Sequence, residues 1–133
     1  MTLKVEVSAG EFLDKMTILK IKSERIKDPG KLKNVQNELD LLQQAWVTSP
    51  LSQTDVSGQL KALKRINEKL WDIEDRIRGK EAEQSFGDEF VELARSVYKF
   101  NDERAAIKLK LNEILGSTLI EEKSYPDYEP PVD

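Results

Sequence analysis

Between Phe86 and Ile114, apolar side chains recur at alternating steps of four and three residues, as in a helix that buries one side against other helices. The apolar members of this coiled-coil-like series are Phe86, Phe90, Leu93, Val97, Phe100, Ile107, Leu111 and Ile114. One position of the series is held by Arg104. A guanidinium on the buried side of a helix needs a partner. The series therefore predicts a long core helix, and Arg104 points most directly to a site.

Two further helices are predicted from the N-terminal third of the chain. Ser8 and Glu11 have the spacing of a capping box, which predicts a helix from there to about Lys27. Asp28 precedes Pro29 and is suited to cap the next helix. Because the turn is short, we expect these helices to be antiparallel neighbours. Apolar residues on more than one face of the first helix predict that it is central or carries a second interface.

The middle of the chain predicts one more helix, after the longest loop. Residues 47–58 are rich in Pro, Gly and hydroxyl side chains, which is typical of a loop. We expect the third helix to begin near Asp55 or Ser57. Ser85 is expected to cap the helix that carries Arg104, and Gly116 is expected to close it.

The two chain ends are predicted to pair as short strands. Apolar and charged residues alternate over residues 3–7, and residues 118–123 begin with a β-prone segment. The fold class is then mainly all-α, a bundle of four principal helices with this small strand pairing. We expect one domain over 1–124 and an extended or disordered, acidic, Pro-rich tail over 125–133.

The composition excludes several kinds of chemistry. The 133 residues include no His and no Cys, so relays through imidazole or thiolate and His or Cys metal sites are excluded. The net charge of −4 argues against nucleic-acid binding. No apolar run is long enough to span a bilayer. We expect a cytoplasmic protein without a metal or other cofactor, and we favour a role that is not enzymatic.

Carboxylates occur in pairs that resemble a known magnesium motif. Asp72 and Asp75, followed by Glu89 and Glu92, resemble the spacing of the all-α nucleotide pyrophosphohydrolases. Most of these side chains fall outside the apolar faces, which favours surface solvation. Helical chorismate mutases also hold carboxylates with Arg and Lys, but the resemblance covers only the end of their first helix.

Basic and amide side chains form the main candidate site. Asn101 and Lys108 share the helix surface of Arg104, since residues three or four apart are neighbours on a helix. Lys15 and Lys22, on one edge of the first helix, are expected to converge there. Such a cluster would bind a carboxylate or a phosphate.

The alternative for Arg104 is an internal ion pair, and we favour it. Glu11, Asp14 or an acid of the tail would supply the carboxylate. Asp102 and Arg95 are further candidates for internal ion pairs.

A second apolar stripe lies beside the first on the Arg104 helix. It contains Val91, Ala94, Tyr98 and Ala105. Because a helix that is apolar on two stripes is buried on two sides, we predict self-association, most economically as a homodimer.

Several stretches resemble one protein family. They are residues 8–19, Ile21 to Ile26, Leu70 to Arg78, residues 93–98, Asn101 to Ala105, and residues 121–125. Together they resemble an uncharacterised family of small helical bacterial proteins, a domain of unknown function. The resemblance implies no activity, although some family members lie near genes for envelope polysaccharide synthesis. We therefore expect an interaction or scaffold module that forms a homodimer, or alternatively a binder or enzyme for an anionic small molecule.

Overall fold

The computed structural model describes residues 1–129 of the chain. Four α-helices account for most of these residues, and a short 3-10 turn joins the second helix to the third. The elements are α1 (Ala9–Arg25), α2 (Pro29–Thr48), the turn Pro50–Gln53, α3 (Ser57–Ala82) and α4 (Asp88–Leu115). The expectation of four principal helices is confirmed.

Helix α1 lies at the centre of the fold. It packs against α2, α3 and α4, while α3 and α4 form the most extensive pair. Its buried side chains include Leu13 and Leu19, which meet Leu63 of α3 and Leu111 of α4 in one core cluster. The prediction that α1 has neighbours on more than one side is confirmed.

Side-chain pairs show that α1 and α2 run antiparallel. In α1 and α2, the ring of Phe12 lies 6.5 Å from that of Trp46, and Lys15 Nζ lies 3.0 Å from Glu38 Oε2. Residues near the start of α1 therefore contact residues near the end of α2, as the short turn between the two helices predicts.

The predicted caps are correct at three helix ends and wrong at a fourth. The side chains of Ser8 and Asp28 accept backbone N–H bonds at the starts of α1 and α2. Gly116 adopts φ 65° after α4, a left-handed conformation that favours glycine. Ser85 does not cap α4, because the helix begins at Asp88 after Gly87 and has no side-chain cap.

The predicted strand pairing of residues 3–7 with 118–123 is wrong, since residues 1–129 contain no strand. The ends do meet, but through one side chain, with Ala9 N donating to Ser117 Oγ at 3.4 Å. Leu3 is 89 % exposed instead of half-buried. The following C-terminal segment finds its partners on α4, where Lys108 binds Glu121. The C-terminal segment therefore packs on α4 instead of pairing with the N-terminus as a strand.

The residues predicted as a tail divide into two parts. Residues 125–129 lie along α4 without regular secondary structure. Residues 130–133 of the predicted tail lie outside the described residues. The boundary between a domain at 1–124 and a tail at 125–133 stays a prediction.

Across the part of the chain that the structure describes, no helix is both long enough and apolar enough to cross a membrane.

The start of α1 docks closely on the end of α4. Each of the first three N–H groups of α1, which have no partner within the helix, is accepted by a side chain. Gly10 N donates to Asn112 Oδ1 at 2.7 Å and Glu11 N to Ser8 Oγ at 3.1 Å, beside the bond from Ala9. A Cβ on Gly10 would meet the backbone carbonyl of Lys108. Glycine therefore permits this close approach.

We predict that Gly10→Ala lowers the free energy of unfolding by about 1–3 kcal/mol, because the methyl group forces α1 away from α4. Gly79→Ala is the matched control, since a Cβ there meets no atom within 4 Å in α3. It should raise stability by up to about 1 kcal/mol through helix propensity. Urea unfolding followed by circular dichroism measures both. Equal effects of the two substitutions would contradict the close contact at Gly10.

Candidate functional site

Helices α1, α3 and α4 meet at a polar network centred on Asn67. The Asn67 amide nitrogen donates to Asp14 Oδ1 at 2.7 Å and to Thr17 Oγ1 at 3.0 Å. Its carbonyl oxygen accepts from Arg104 Nη1 at 3.0 Å. Asp14, Thr17 and Asn67 are all buried. Asn67 therefore joins a buried carboxylate on α1 to the guanidinium on α4 without direct contact between the two charges.

Lys108 takes up the carboxylates that were predicted for Arg104. Its Nζ lies 2.6 Å from Glu11 Oε2, 3.7 Å from Asp14 Oδ2 and 3.5 Å from Glu121 Oε2. Burial by itself lowers the pKa of Lys108, but the hydrogen bond to Glu11 and the three negative charges outweigh it and raise the pKa. Lys108 therefore stays charged and serves the internal ion-pair cluster.

Within the described part of the chain, Arg104 bonds only to side-chain amides. Besides the bond to Asn67, its Nη2 donates to Asn101 Oδ1 at 2.7 Å. No carboxylate oxygen among residues 1–129 lies within 4 Å of the guanidinium. Within residues 1–129, Arg104 forms no ion pair with Glu11, Asp14 or an acid of the tail, because Lys108, one turn further along α4, holds Glu11 and Asp14. Asp133 of the tail lies outside the described residues. Two of the five guanidinium N–H donors are used by the two amides.

The other predicted site residues lie in different places. Lys15 pairs with Glu38 on α2, and Lys22 lies seven residues further along the same edge of α1. Neither lysine lines the cavities beside Arg104, so neither joins it. Arg95 pairs with Glu92 on the surface of α4 at 3.1 Å.

A cavity of about 670 Å³ opens beside Arg104 between α4 and the C-terminal segment. We call it the tail cavity. Its lining comes from two elements: Tyr98, Asn101, Asp102, Arg104, Ala105 and Lys108 of α4, and residues 123–129. The structure thus places three predicted site residues, Arg104, Asn101 and Lys108, on one cavity.

The C-terminal segment is attached to α4 at both ends of the tail cavity. Near the end of α4, Lys108 Nζ lies 3.5 Å from Glu121 Oε2 of the segment. Within the segment, Lys123 binds Glu121 at 2.9 Å, and this hydrogen bond, one with Glu11 and the charge of Lys108 lower the pKa of Glu121 to about 2. At the other end, the ring of Tyr128 lies 4.8 Å from that of Tyr98. A hydrogen bond to Asp102 raises the pKa of Tyr128 to about 12.

A second concavity, of about 480 Å³, lies on the α3 side of Arg104. We call it the α3 groove. Arg104 and Asn101 line both spaces, and Trp71, Glu74 and Asp75 line the α3 groove alone. The guanidinium therefore stands between two concave surfaces.

The paired carboxylates do not form a metal centre. Asp72 binds Arg25 at 2.6 Å, Glu89 binds Arg76 and Lys80 at 2.9 Å each, and Glu92 binds Arg95. No group of three potential metal ligands is found within residues 1–129. Their spacing reflects ion pairs on the helix surfaces.

Sequence reasoning missed Asn67 and Tyr128. Asn67 lies four residues after the buried Leu63 and three before the buried Leu70, on the core face of α3. A polar residue on an apolar face was the signal used for Arg104, and the same signal applies to Asn67. Tyr125 and Tyr128 lie outside any periodic pattern, so spacing could not assign them a neighbour.

Comparison with known proteins places this arrangement in a family. Residues 3–131 match the model of a family of unknown function, DUF6165. The chain belongs to the DUF6165 family. Comparisons with curated proteins and with solved structures give no match. Membership confirms that the chain belongs to a family of unknown function over nearly its whole length and adds no activity. The DUF6165 site therefore has to be interpreted from its own geometry.

We predict a pH-dependent contribution of Glu121 to stability. A carboxyl whose pKa is lower in the folded state stabilises that state above its unfolded pKa and loses the effect as pH falls through its folded pKa. Glu121→Gln should therefore be slightly less stable than wild type at neutral pH. The difference should shrink from pH 4.5 down to about 2. Thermal unfolding at several pH values measures it.

Glu122→Gln is the control, because Glu122 is exposed and forms no ion pair within the described residues. It should match wild type at every pH. A Glu121→Gln difference that does not change with pH would contradict the contact with Lys123 and Lys108.

Proposed function

We propose that this protein binds a small anionic molecule in the tail cavity and that Arg104 holds the anion. One observation carries the proposal. The Arg104 guanidinium is half-buried, touches two amide oxygens and no carboxylate of residues 1–129, and borders an open cavity.

The amide partners favour binding over an internal structural role. Asn67 and Asn101 orient the guanidinium plane through one oxygen each and leave its charge uncompensated at contact distance. A carboxylate or phosphate arriving through the tail cavity can accept the remaining N–H groups in a bidentate, charge-assisted pair. The protein thereby provides a preoriented cation, so little side-chain entropy is lost when the ligand binds.

The proposed set differs from the one expected from sequence. Arg104 and Asn101 remain in the proposed binding set. Lys108 lines the cavity but is paired with the acids Glu11, Asp14 and Glu121. Lys123 and the tyrosines of the C-terminal segment take the place of Lys15 and Lys22. The chain offers neither His nor Cys for proton transfer or nucleophilic attack, which supports binding without catalysis.

We predict that an anionic ligand raises the melting temperature of wild type and not of Arg104→Gln. The panel contains inorganic phosphate, dicarboxylates and sugar nucleotides, with each compound at matched ionic strength. A ligand at a hundredfold excess over its Kd adds about 2.7 kcal/mol to the free energy of unfolding. Differential scanning fluorimetry detects the shift.

Arg65→Gln is the matched control, since it removes the same charge from an exposed position of α3 that lines neither cavity. It should keep the full ligand shift. Equal shifts in wild type and Arg104→Gln would contradict the proposal, as would an equal loss in both variants.

Self-association is a second proposal, supported by the apolar stripe of α4. Tyr98 and Ala105 of this stripe line the tail cavity, but Val91 is 48 % exposed and Ala94 is exposed as well. A second copy that covered this end of α4 would make the protein a homodimeric interaction module.

We predict that wild type sediments as a dimer at micromolar concentration and that Val91→Glu sediments as a monomer, because a buried carboxylate there would be unpaired. Leu41→Glu, on the exposed side of α2, is the control and should stay dimeric. A monomeric wild type would contradict this second proposal without affecting ligand binding.

A further inference from the structure

We propose that the ligand of the tail cavity is a zwitterion, with an anionic group bound by Arg104 and an ammonium group several bonds away bound at Asp102. This inference rests on the proposed function, and it specifies the chemical class of the ligand. ω-Amino acids and aminoalkyl phosphates belong to this class.

The lining of the tail cavity is divided by charge. Its basic end consists of Arg104, Lys108 and Lys123, and its acidic end consists of Asp102, Asp127 and Glu129. The ion pairs of Lys108 and Lys123 with Glu121 mark the basic end, near the end of α4. The edge-to-face contact of Tyr128 with Tyr98 marks the acidic end, toward the start of α4.

The two charged ends do not neutralise each other. Among residues 1–129, no Lys or Arg nitrogen lies within 4 Å of the carboxylates of Asp102, Asp127 or Glu129. Within the same residues, the Arg104 guanidinium has no carboxylate partner either. One cavity thus contains an uncompensated cation and uncompensated carboxylates at opposite ends, an arrangement that a ligand with both charges complements.

Helix geometry separates Arg104 from Asp102 as well. The two residues are two positions apart on the helix, so their side chains point in directions that differ by about 160° around the helix axis. They therefore border opposite edges of the cavity-facing side of α4. A ligand whose charges are on neighbouring atoms could not reach both groups. The required ligand is elongated.

Aromatic rings suit the acidic end to an ammonium group. Tyr98, Tyr125 and Tyr128 line the tail cavity together with Asp102, and the ring of Tyr128 packs edge-to-face on that of Tyr98. Tyrosine faces attract cations, and a neighbouring carboxylate adds to that attraction. A ligand that carried only negative charge would instead meet three carboxylates at this end.

Isothermal titration calorimetry on the full chain tests the inference with three probes that share a six-carbon chain: ω-aminohexanoic acid, hexanoic acid and hexylamine. Wild type should bind ω-aminohexanoic acid about fivefold more tightly than hexanoic acid, the upper range for one partly exposed ion pair. Hexylamine should bind most weakly. Asp102→Asn should remove the preference, so that the two acids bind alike.

Two variants separate the possible causes. Glu103→Gln is the matched control, since it removes a carboxylate from an exposed position of α4 that lines neither cavity, so the preference should persist. If Glu103→Gln abolished it as Asp102→Asn does, the net charge of α4 would explain the effect and the inference would be overturned. Arg104→Gln should weaken the binding of both ω-aminohexanoic acid and hexanoic acid.

The outcomes distinguish this inference from the proposed function. Equal binding of both acids by wild type, lost in Arg104→Gln, overturns the zwitterion and leaves the anion site intact. Binding of both acids that is insensitive to Arg104→Gln overturns the anion site and, with it, the zwitterion. Hexylamine binding as tightly as ω-aminohexanoic acid also overturns the inference.

Discussion

The burial of Asp14 is the constraint on which the arrangement of α1, α3 and α4 depends. A carboxylate that is only 5 % exposed is costly unless it is both hydrogen-bonded and neutralised. Asn67 satisfies one oxygen from α3, and Lys108 faces the other from α4. The Asn67 amide nitrogen donates to Asp14, and the Asn67 carbonyl oxygen accepts from Arg104. The same network that stabilises the junction therefore orients the candidate ligand-binding group.

The close approach at Gly10 explains why Lys108, and not Arg104, neutralises the acids of α1. Gly10 lies against the backbone of Lys108 and the side chain of Asn112. Glu11 and Asp14 are consequently level with Lys108, whose Nζ reaches both. Arg104 lies one turn earlier on α4, beyond the acids bound by Lys108, and its guanidinium donates to Asn67. A shift of one helical turn between α1 and α4 would exchange these roles.

Much of the helical fold could be predicted because its signals are local. Apolar periodicity and the caps at Ser8, Asp28 and Gly116 depend on residues a few positions apart. The structure agrees with them except at Phe86, which precedes α4 and is 49 % exposed. Asn101, Arg104 and Lys108 share one helix surface, so their common cavity was within reach of the same reasoning. Lys15 was placed wrongly because periodicity gives an edge of α1 but not the helix that the edge meets.

The remaining features depend on long-range choices that spacing cannot decide. Arg104 and Lys108 lie on the same face of α4, and only the height of α1 against α4 determines which of them takes Glu11. The C-terminal segment could pair with the N-terminus or follow α4. Its side chains decide the matter, since Tyr128 meets Tyr98 and Glu121 meets Lys108. Neither contact leaves a periodic trace in the sequence.

The central claim is that an anion binds Arg104 from the side of the C-terminal segment. Nuclear magnetic resonance of the isotope-labelled protein, titrated with inorganic phosphate, tests it by the position of the chemical-shift changes. The account predicts changes in the Arg104 side chain, at Asn101 and along residues 123–128, with Trp71 and Glu74 of the α3 groove unaffected. Changes confined to the α3 groove, or scattered over exposed lysines with none at Arg104, would contradict it.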